Sequence, residues 1–558
     1  MTQVNAKDFI EELRFDIREK DMIKAKLVLS KIESVDDSIR KLALFELNRA
    51  DDQFAIPLIV SLIAEYRNLA RTYPQLREIL YAKALYHPQM LLSMLTRESR
   101  REDRVVLVEV AGEMRLEGAA SQLMGILNED GDEVVIKAVV MALGMIGETA
   151  ATTAISEYLY SGSLELTIAA IYALGQLASP TAFQRLSEKL GADPDLDIMI
   201  LDVFATDQSP AAIDRLNEVL SSHYAHLRNA TKQRLREMGG KAVPSLIGNL
   251  LHDDPDLLIH TLNVLGEIGD ESAIVPIRKL LHNEPKNANV RFAAYEALGM
   301  LPVEKGAFAL AQGLADPVQN VRAAAAAAID RNYNTMLAAG LKNMVRSGGI
   351  ETRQVTEAVL NGGCDAIFLD LLEEKSFQAC ALDFLGTTVH PDVRSRFVDL
   401  MRKNGHDALV ARIGDTNGNT PSAALTVFAV DDSKMILNIY RGALHSLGCA
   451  PRLFEFPAEA VKAVTMDKPD VIFTDLNMPE INGIELIREV RRHYDKTDLP
   501  IIMVTTQNET QDNDAATEAG VNKILHKPFT AENLGNALNA LGIIPPKTEK
   551  KDDHKAVG

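Results

Sequence analysis

The hexapeptide Ala-Leu-Gly-Met-Ile-Gly at 142–147 returns as Val-Leu-Gly-Glu-Ile-Gly at 264–269 and, shortened, as Ala-Leu-Gly-Met-Leu at 297–301. Weaker copies stand at 110–114 and 173–177. Taking Gly112, Gly144, Gly175, Ala205, Arg236, Gly266, Gly299 and Asp330 as equivalent gives steps of 32, 31, 30, 31, 30, 33 and 31 residues. Each interval holds two apolar helical segments, and neither can bury its apolar face alone, so the units must stack. A chain of 558 residues is also too long for a single core.

This period, with Val-Arg-x-Ala-Ala at 290–294 and 321–325, resembles the HEAT-like repeat family and implies an all-α solenoid. The expected unit is a helix, a glycine turn supplying a left-handed C-cap, and a second helix with Pro244 or Pro276 in its first turn. The resemblance is carried by residues 100–335. The phase extends back through Leu80 to Leu47 and forward to Asn361 and Gly386, so the array is assigned to 1–413, with about ten to twelve units. Arg291 and Arg322 are expected to pair with acids of neighbouring units.

Composition narrows what such an array can do. The net charge is −19, from 59 Lys and Arg against 78 Asp and Glu. Phosphate neutralisation needs clustered cations, so nucleic acid is excluded as a partner. The three cysteines, Cys364, Cys380 and Cys449, lack zinc-type spacing and read as buried thiols in a reducing compartment. Residues 1–13 have no signal-peptide core, and Lys137 and Glu148 bracket the most apolar stretch, which predicts no membrane insertion and a cytoplasmic location. The array then reads as a surface for a protein partner, with a passive spacer as the competing reading. HEAT-like proteins also include bilin lyases, but only fold analogy supports a catalytic array.

Residues 414–424 are polar and Gly-rich, a flexible linker with a reach of roughly 18 Å. Beyond them, apolar runs at 426–430, 471–474, 501–504 and 522–525, with a weaker one at 452–456, read as buried parallel strands. They alternate with helical segments at 433–447, 458–466, 484–493, 512–519 and 531–541. Five strands alternating with five helices over 425–543 predict a doubly wound α/β domain, in which ligands sit at the carboxyl ends of the strands. Asp431, Asp432, Asp475, Thr505 and Lys527 all fall at those ends.

With Asp475 in Val-Ile-Phe-Thr-Asp-Leu-Asn-Met-Pro, the Asp431-Asp432 pair upstream, Thr505 at +30 and Lys527-Pro528 at +52, this segment resembles the receiver domains of chemotaxis-type response regulators over its full length. The resemblance implies the flavodoxin-like strand order 2-1-3-4-5 that chemotaxis receivers share. It implies Mg²⁺ held by Asp432, Asp475 and the backbone carbonyl of Asn477, with Asp431 acting through water. Asp475 would be the phosphoacceptor, served by a histidine kinase or phosphotransfer protein, with Lys527 and Thr505 meeting the transferred group. One position departs from the family: three before the lysine, where Tyr or Phe is usual, stands Ile524, so the usual aromatic relay of the signal is in doubt. His445 lies within the first helical segment of this domain and lacks the following basic residue of a phosphotransfer histidine. Residues 544–558 are Lys-rich, polar and expected to be disordered.

Together these features point to a response regulator without a separate enzymatic output, acting through what the array binds. The alternatives are a phosphate sink or relay receiver localised by a passive array, and a receiver-gated, lyase-like HEAT enzyme.

Overall fold

The chain divides into two compact units, Met1–Arg215 and Leu216–Gly558. The computed structural model describes residues 6–543 except 96–99, 130, 223, 303–306, 388, 390, 414–424, 433, 477, 479–480, 506–509 and 528. The expected linker and tail therefore lie outside the described residues. The division falls among the repeats rather than at the linker, and the second unit holds the later repeats together with the α/β domain.

In the first unit helices pair along the chain, for example Arg101–Glu113, Glu133–Ile146 and Leu164–Leu177, each followed by a shorter partner. Here the aligned glycines differ from the expectation. Gly112 and Gly144 lie inside helices, where a Cβ would stand 2.7 Å from the Ala142 Cα and 2.6 Å from the Ala173 Cα. They permit close approach between consecutive repeats. The left-handed cap is taken by the next glycine, Gly147 at φ 84°, and by Ala178 at φ 47°, which carries the steric cost of its Cβ.

The second unit repeats this scheme. Ala225–Met238, Pro255–Ile268, Ala288–Met300, Gln319–Arg331 and Gly349–Gly362 form a stacked row. Gly266 and Gly299 admit Ala297 and Ala328 of the following helix, and Gly269 at φ 75° is the cap. Pro244 and Pro276 stand in the first turns of Val243–Asn249 and Ile274–His282. Arg291 pairs with Asp316 at 2.7 Å and Arg322 with Glu357 at 3.0 Å, tying neighbouring repeats together.

The α/β domain is a five-stranded parallel sheet: β1 (Thr426–Val430), β2 (Ala450–Phe454), β3 (Val471–Thr474), β4 (Ile501–Thr505) and β5 (Lys523–His526), in the order β2-β1-β3-β4-β5. β2 begins two residues earlier than expected, in register with β1 from Thr426↔Ala450 to Val430↔Phe454. Residue alternation buries one core on each face. Phe428, Val430, Ile472 and Met503 face one side; Val427, Ala429, Phe473 and Val504 face the other with Tyr440 and Phe529. Among the described residues, no helix is long and apolar enough to cross a membrane.

Candidate functional site

Parallel pairing brings all five carboxyl strand ends to one edge of the sheet, and the residues leaving them converge there. Asp431 follows β1, Asp475 follows β3, Thr505 ends β4 and Lys527 follows β5. Backbone hydrogen bonds set their heights: Asp475 N–H donates to Val430 O at 2.9 Å, Asp431 N–H to Phe454 O at 3.1 Å, and Lys527 N–H to Thr505 O at 2.8 Å. Carboxylate oxygens of Asp431, Asp432 and Asp475 lie within 4.8 Å of one another. Lys527 Nζ is 2.7 Å from Asp431 Oδ2 and 3.2 Å from Asp475 Oδ2, and Leu476 N–H donates to Asp475 Oδ1 at 2.8 Å. Thr505 is buried at the same edge. Asn477 lies outside the described residues, as do Pro479 and Pro528.

The loop after Asp475 is closed tightly. Gly483 N–H donates to Leu476 O at 2.9 Å, and a Cβ on Gly483 would overlap the Asp475 carbonyl oxygen. Asn482 and Glu485 form a reciprocal capping box that starts the helix Gly483–Arg491.

Electrostatically the site is an excess of anions. Burial pushes Asp431 upward, with Asp475 and Asp432 adding to the rise and Lys527 opposing it. Asp432 is pushed up to about 6, first by desolvation and then by Asp475. Its carboxylate is exposed, so this desolvation is that of a group looking into a walled cavity. Lys527 is held above the ordinary lysine range: burial opposes its charge, and Asp431 and Asp475 outweigh that. Three convergent carboxylates, one of them open to solvent, form a hard oxygen donor set that fits a divalent cation such as Mg²⁺.

The repeats wall this site in, which strand-end chemistry alone does not foresee. A cavity of about 480 Å³ is bounded on one side by Asp431, Asp432, Asp475 and Lys527 and on the other by repeat residues including Lys232, His260 and Asn289. Asn289 donates to the Lys527 carbonyl, and Asn320 Nδ2 donates to Phe529 O at 3.1 Å. Phe292 packs against the receiver core that contains Phe529 and Tyr440. A signal for this was present: Asn289-Val-Arg and Asn320-Val-Arg are one period apart and so share a face. Lys232 belongs to the repeat in which Arg236 replaces the usual glycine.

A five-stranded 2-1-3-4-5 sheet carrying acids and a lysine at these strand ends defines a receiver-type α/β domain, set here on helical repeats. The chain belongs to the response-regulator receiver family: the response regulator receiver domain matches residues 427–539, and HEAT repeats match 88–175 and 243–330. It is 39% identical over 116 residues to a chemotaxis protein CheY homolog of Campylobacter jejuni, covering 20% of this chain and 89% of that protein. It is 32% identical over 117 residues to the response regulator MprA of Mycobacterium leprae, covering 21% of this chain and 50% of that one. Among solved structures, CheY4 of Vibrio cholerae is similar at 30% identity and a TM-score of 0.21, covering 21% of this chain and 99% of that one.

Proposed function

We propose that this protein is a two-component response regulator that takes a phosphoryl group on Asp475 from a histidine kinase or phosphotransfer protein. The observation that carries this reading is Lys527 Nζ bridging Asp431 and Asp475 beside Asp432 at one sheet edge. An Asp475 carboxylate oxygen forms the bond to phosphorus as the phosphorus–nitrogen bond of a phosphohistidine breaks. The imidazole nitrogen keeps the electron pair and is protonated. Lys527 balances charge on the transferring oxygens, and the Thr505 hydroxyl donates to one of them. Asp432, Asp475 and the Asn477 carbonyl would hold Mg²⁺, with Asp431 reaching it through water. When bound, the ion neutralises carboxylate repulsion and polarises the phosphoryl oxygens.

The output is protein–protein interaction through the repeats. Three contacts support a coupled rather than passive array: Asn289 donates to the Lys527 carbonyl, Asn320 donates to the Phe529 carbonyl, and Phe292 packs against the receiver core. A receiver merely localised by its array would need no repeat side chains around its acids. Asp475→Asn is expected to abolish labelling by acetyl phosphate in Mg²⁺, read by intact-protein mass spectrometry. Undiminished labelling of that variant would remove the site assignment.

A further inference from the structure

We propose that Lys232, on the repeat helix Ala225–Met238, is a second lysine of the phosphoryl site, which reaches across the cavity to the phosphoryl oxygens on Asp475 and holds the phosphorylated receiver on the repeats. This inference rests on the assignment of Asp475 as phosphoacceptor and adds a residue from outside the receiver domain.

The cavity wall is the first argument. Lys232 lines the same 480 Å³ space as Asp431, Asp432, Asp475 and Lys527. It is near enough to feel the charges of Asp475 and Asp432 as well as that of Glu267. Among the described residues its amine has no hydrogen bond or ion pair, while Glu267 has Arg236 at 3.6 Å. Burial, and then Arg228, pulls Lys232 down to about 8, which leaves it mostly protonated at neutral pH, and a new anion in the cavity would favour that charged form further.

Charge balance is the second argument. Three carboxylates and Lys527 leave two negative charges, which one divalent cation cancels. Phosphorylation changes Asp475 from one negative charge to about two, leaving roughly one uncompensated charge in a walled space. Of the repeat cations Lys232 and Arg236 that line the cavity, Arg236 has Glu267 at 3.6 Å, and Lys232 is placed to meet that charge. The contacts of Asn289 and Asn320 tie the two walls of the cavity together.

The repeat pattern points the same way. Helix Ala225–Met238 carries Arg228, Lys232, Arg234 and Arg236, where the equivalent Pro255–Ile268 is mainly apolar. This cation-bearing helix lines the cavity beside the receiver.

The test uses the full-length chain and titrates Mg²⁺ with beryllofluoride, a phosphoryl mimic, by calorimetry. Lys232→Gln is expected to weaken beryllofluoride binding roughly tenfold, the loss of one charge-assisted hydrogen bond, and Lys232→Arg to recover most of it. In parallel, acylation of Lys232 by an amine reagent, read by peptide mass spectrometry against Lys241, should fall several-fold on adding beryllofluoride to the wild-type chain and stay constant in Asp475→Asn. Wild-type binding in Lys232→Gln, or unchanged Lys232 acylation in a wild-type chain that binds beryllofluoride, overturns the inference and leaves the phosphoacceptor assignment standing. Failure of the wild-type chain to bind beryllofluoride, or equal binding by Asp475→Asn, overturns that assignment and this inference with it.

Discussion

Asp431 and Asp432 bind protons more tightly in the folded protein than a free carboxyl does, because burial and neighbouring acids disfavour their charge. The folded state then holds more protons than the unfolded state from the ordinary carboxyl value of 3.8 up to about 6 for Asp432, and higher for Asp431. The stability these two groups contribute is present at the acid end of that window and is lost as pH rises through it. On the proposed reading, Mg²⁺ would compete with those protons. At one hundred times its dissociation constant it should stabilise the protein by about 2.7 kcal/mol near pH 7.5, and by clearly less near pH 5.5. Scanning calorimetry with and without Mg²⁺ at the two pH values checks this, and equal increments would mean the carboxylates do not hold the ion. Gly483→Ala tests the loop itself: relief of the overlap with the Asp475 carbonyl must shift that residue, at a cost of about 1–3 kcal/mol and with slower acetyl-phosphate labelling. The acids, Thr505 and Lys527 were legible in the sequence because strand ends in a parallel sheet converge wherever the chain folds that way. The tight approach of Gly483 was not, since it depends on backbone three-dimensional spacing.

Helices of the repeats show how one residue type serves two purposes. Gly144 and Gly125 both lie within helices of the first unit, where alanine should gain about 0.5–1 kcal/mol from lower unfolded-state freedom. Gly125 has open space around its missing Cβ, and Gly125→Ala is expected to stabilise by that amount. Gly144 abuts Ala173, so Gly144→Ala is expected to destabilise by about 1–3 kcal/mol despite its better helix propensity. Denaturant unfolding of the two variants distinguishes packing glycine from tolerated glycine. The period of 30–33 residues exposed the repeat, but sequence spacing alone did not separate Gly144, which packs, from Gly147, which turns. β1, β3 and β4 are legible for a similar reason: their apolar runs are short and almost wholly buried. β2, at an edge with half-buried positions around an exposed Arg452, has a weak pattern and begins two residues before the apolar run at 452–456.

In the unit formed by residues 216–558, the receiver and later repeats share buried polar contacts. Asn320→Ala would leave the Phe529 carbonyl without its donor, a cost of about 1–3 kcal/mol to docking if water cannot enter. Hydrogen exchange of the helix Ala531–Ala540 is expected to quicken in Asn320→Ala while the repeat helix Gln319–Arg331 is unchanged. Equal protection in both proteins would mean that this contact does not hold the receiver. Ile524, at the usual aromatic position, is half-buried against the core on the sheet face opposite Phe529. On the proposed reading, a signal from Asp475 would reach the repeats through Lys527, its own carbonyl and Asn289.

Periodicity and strand-end chemistry are local properties: a step of about 31 residues obliges helices to stack, and the polar residue after each apolar run must emerge at the same sheet edge whatever lies beyond it. Those features could be read from the order of residues alone. Docking is different, because it joins Asn289 to Lys527 and Asn320 to Phe529 across 238 and 209 residues of chain. No periodicity links such distant positions. Their meeting depends on complementary surfaces that exist only after both the repeats and the sheet have formed, and that is how Lys232 comes to share a cavity with Asp475.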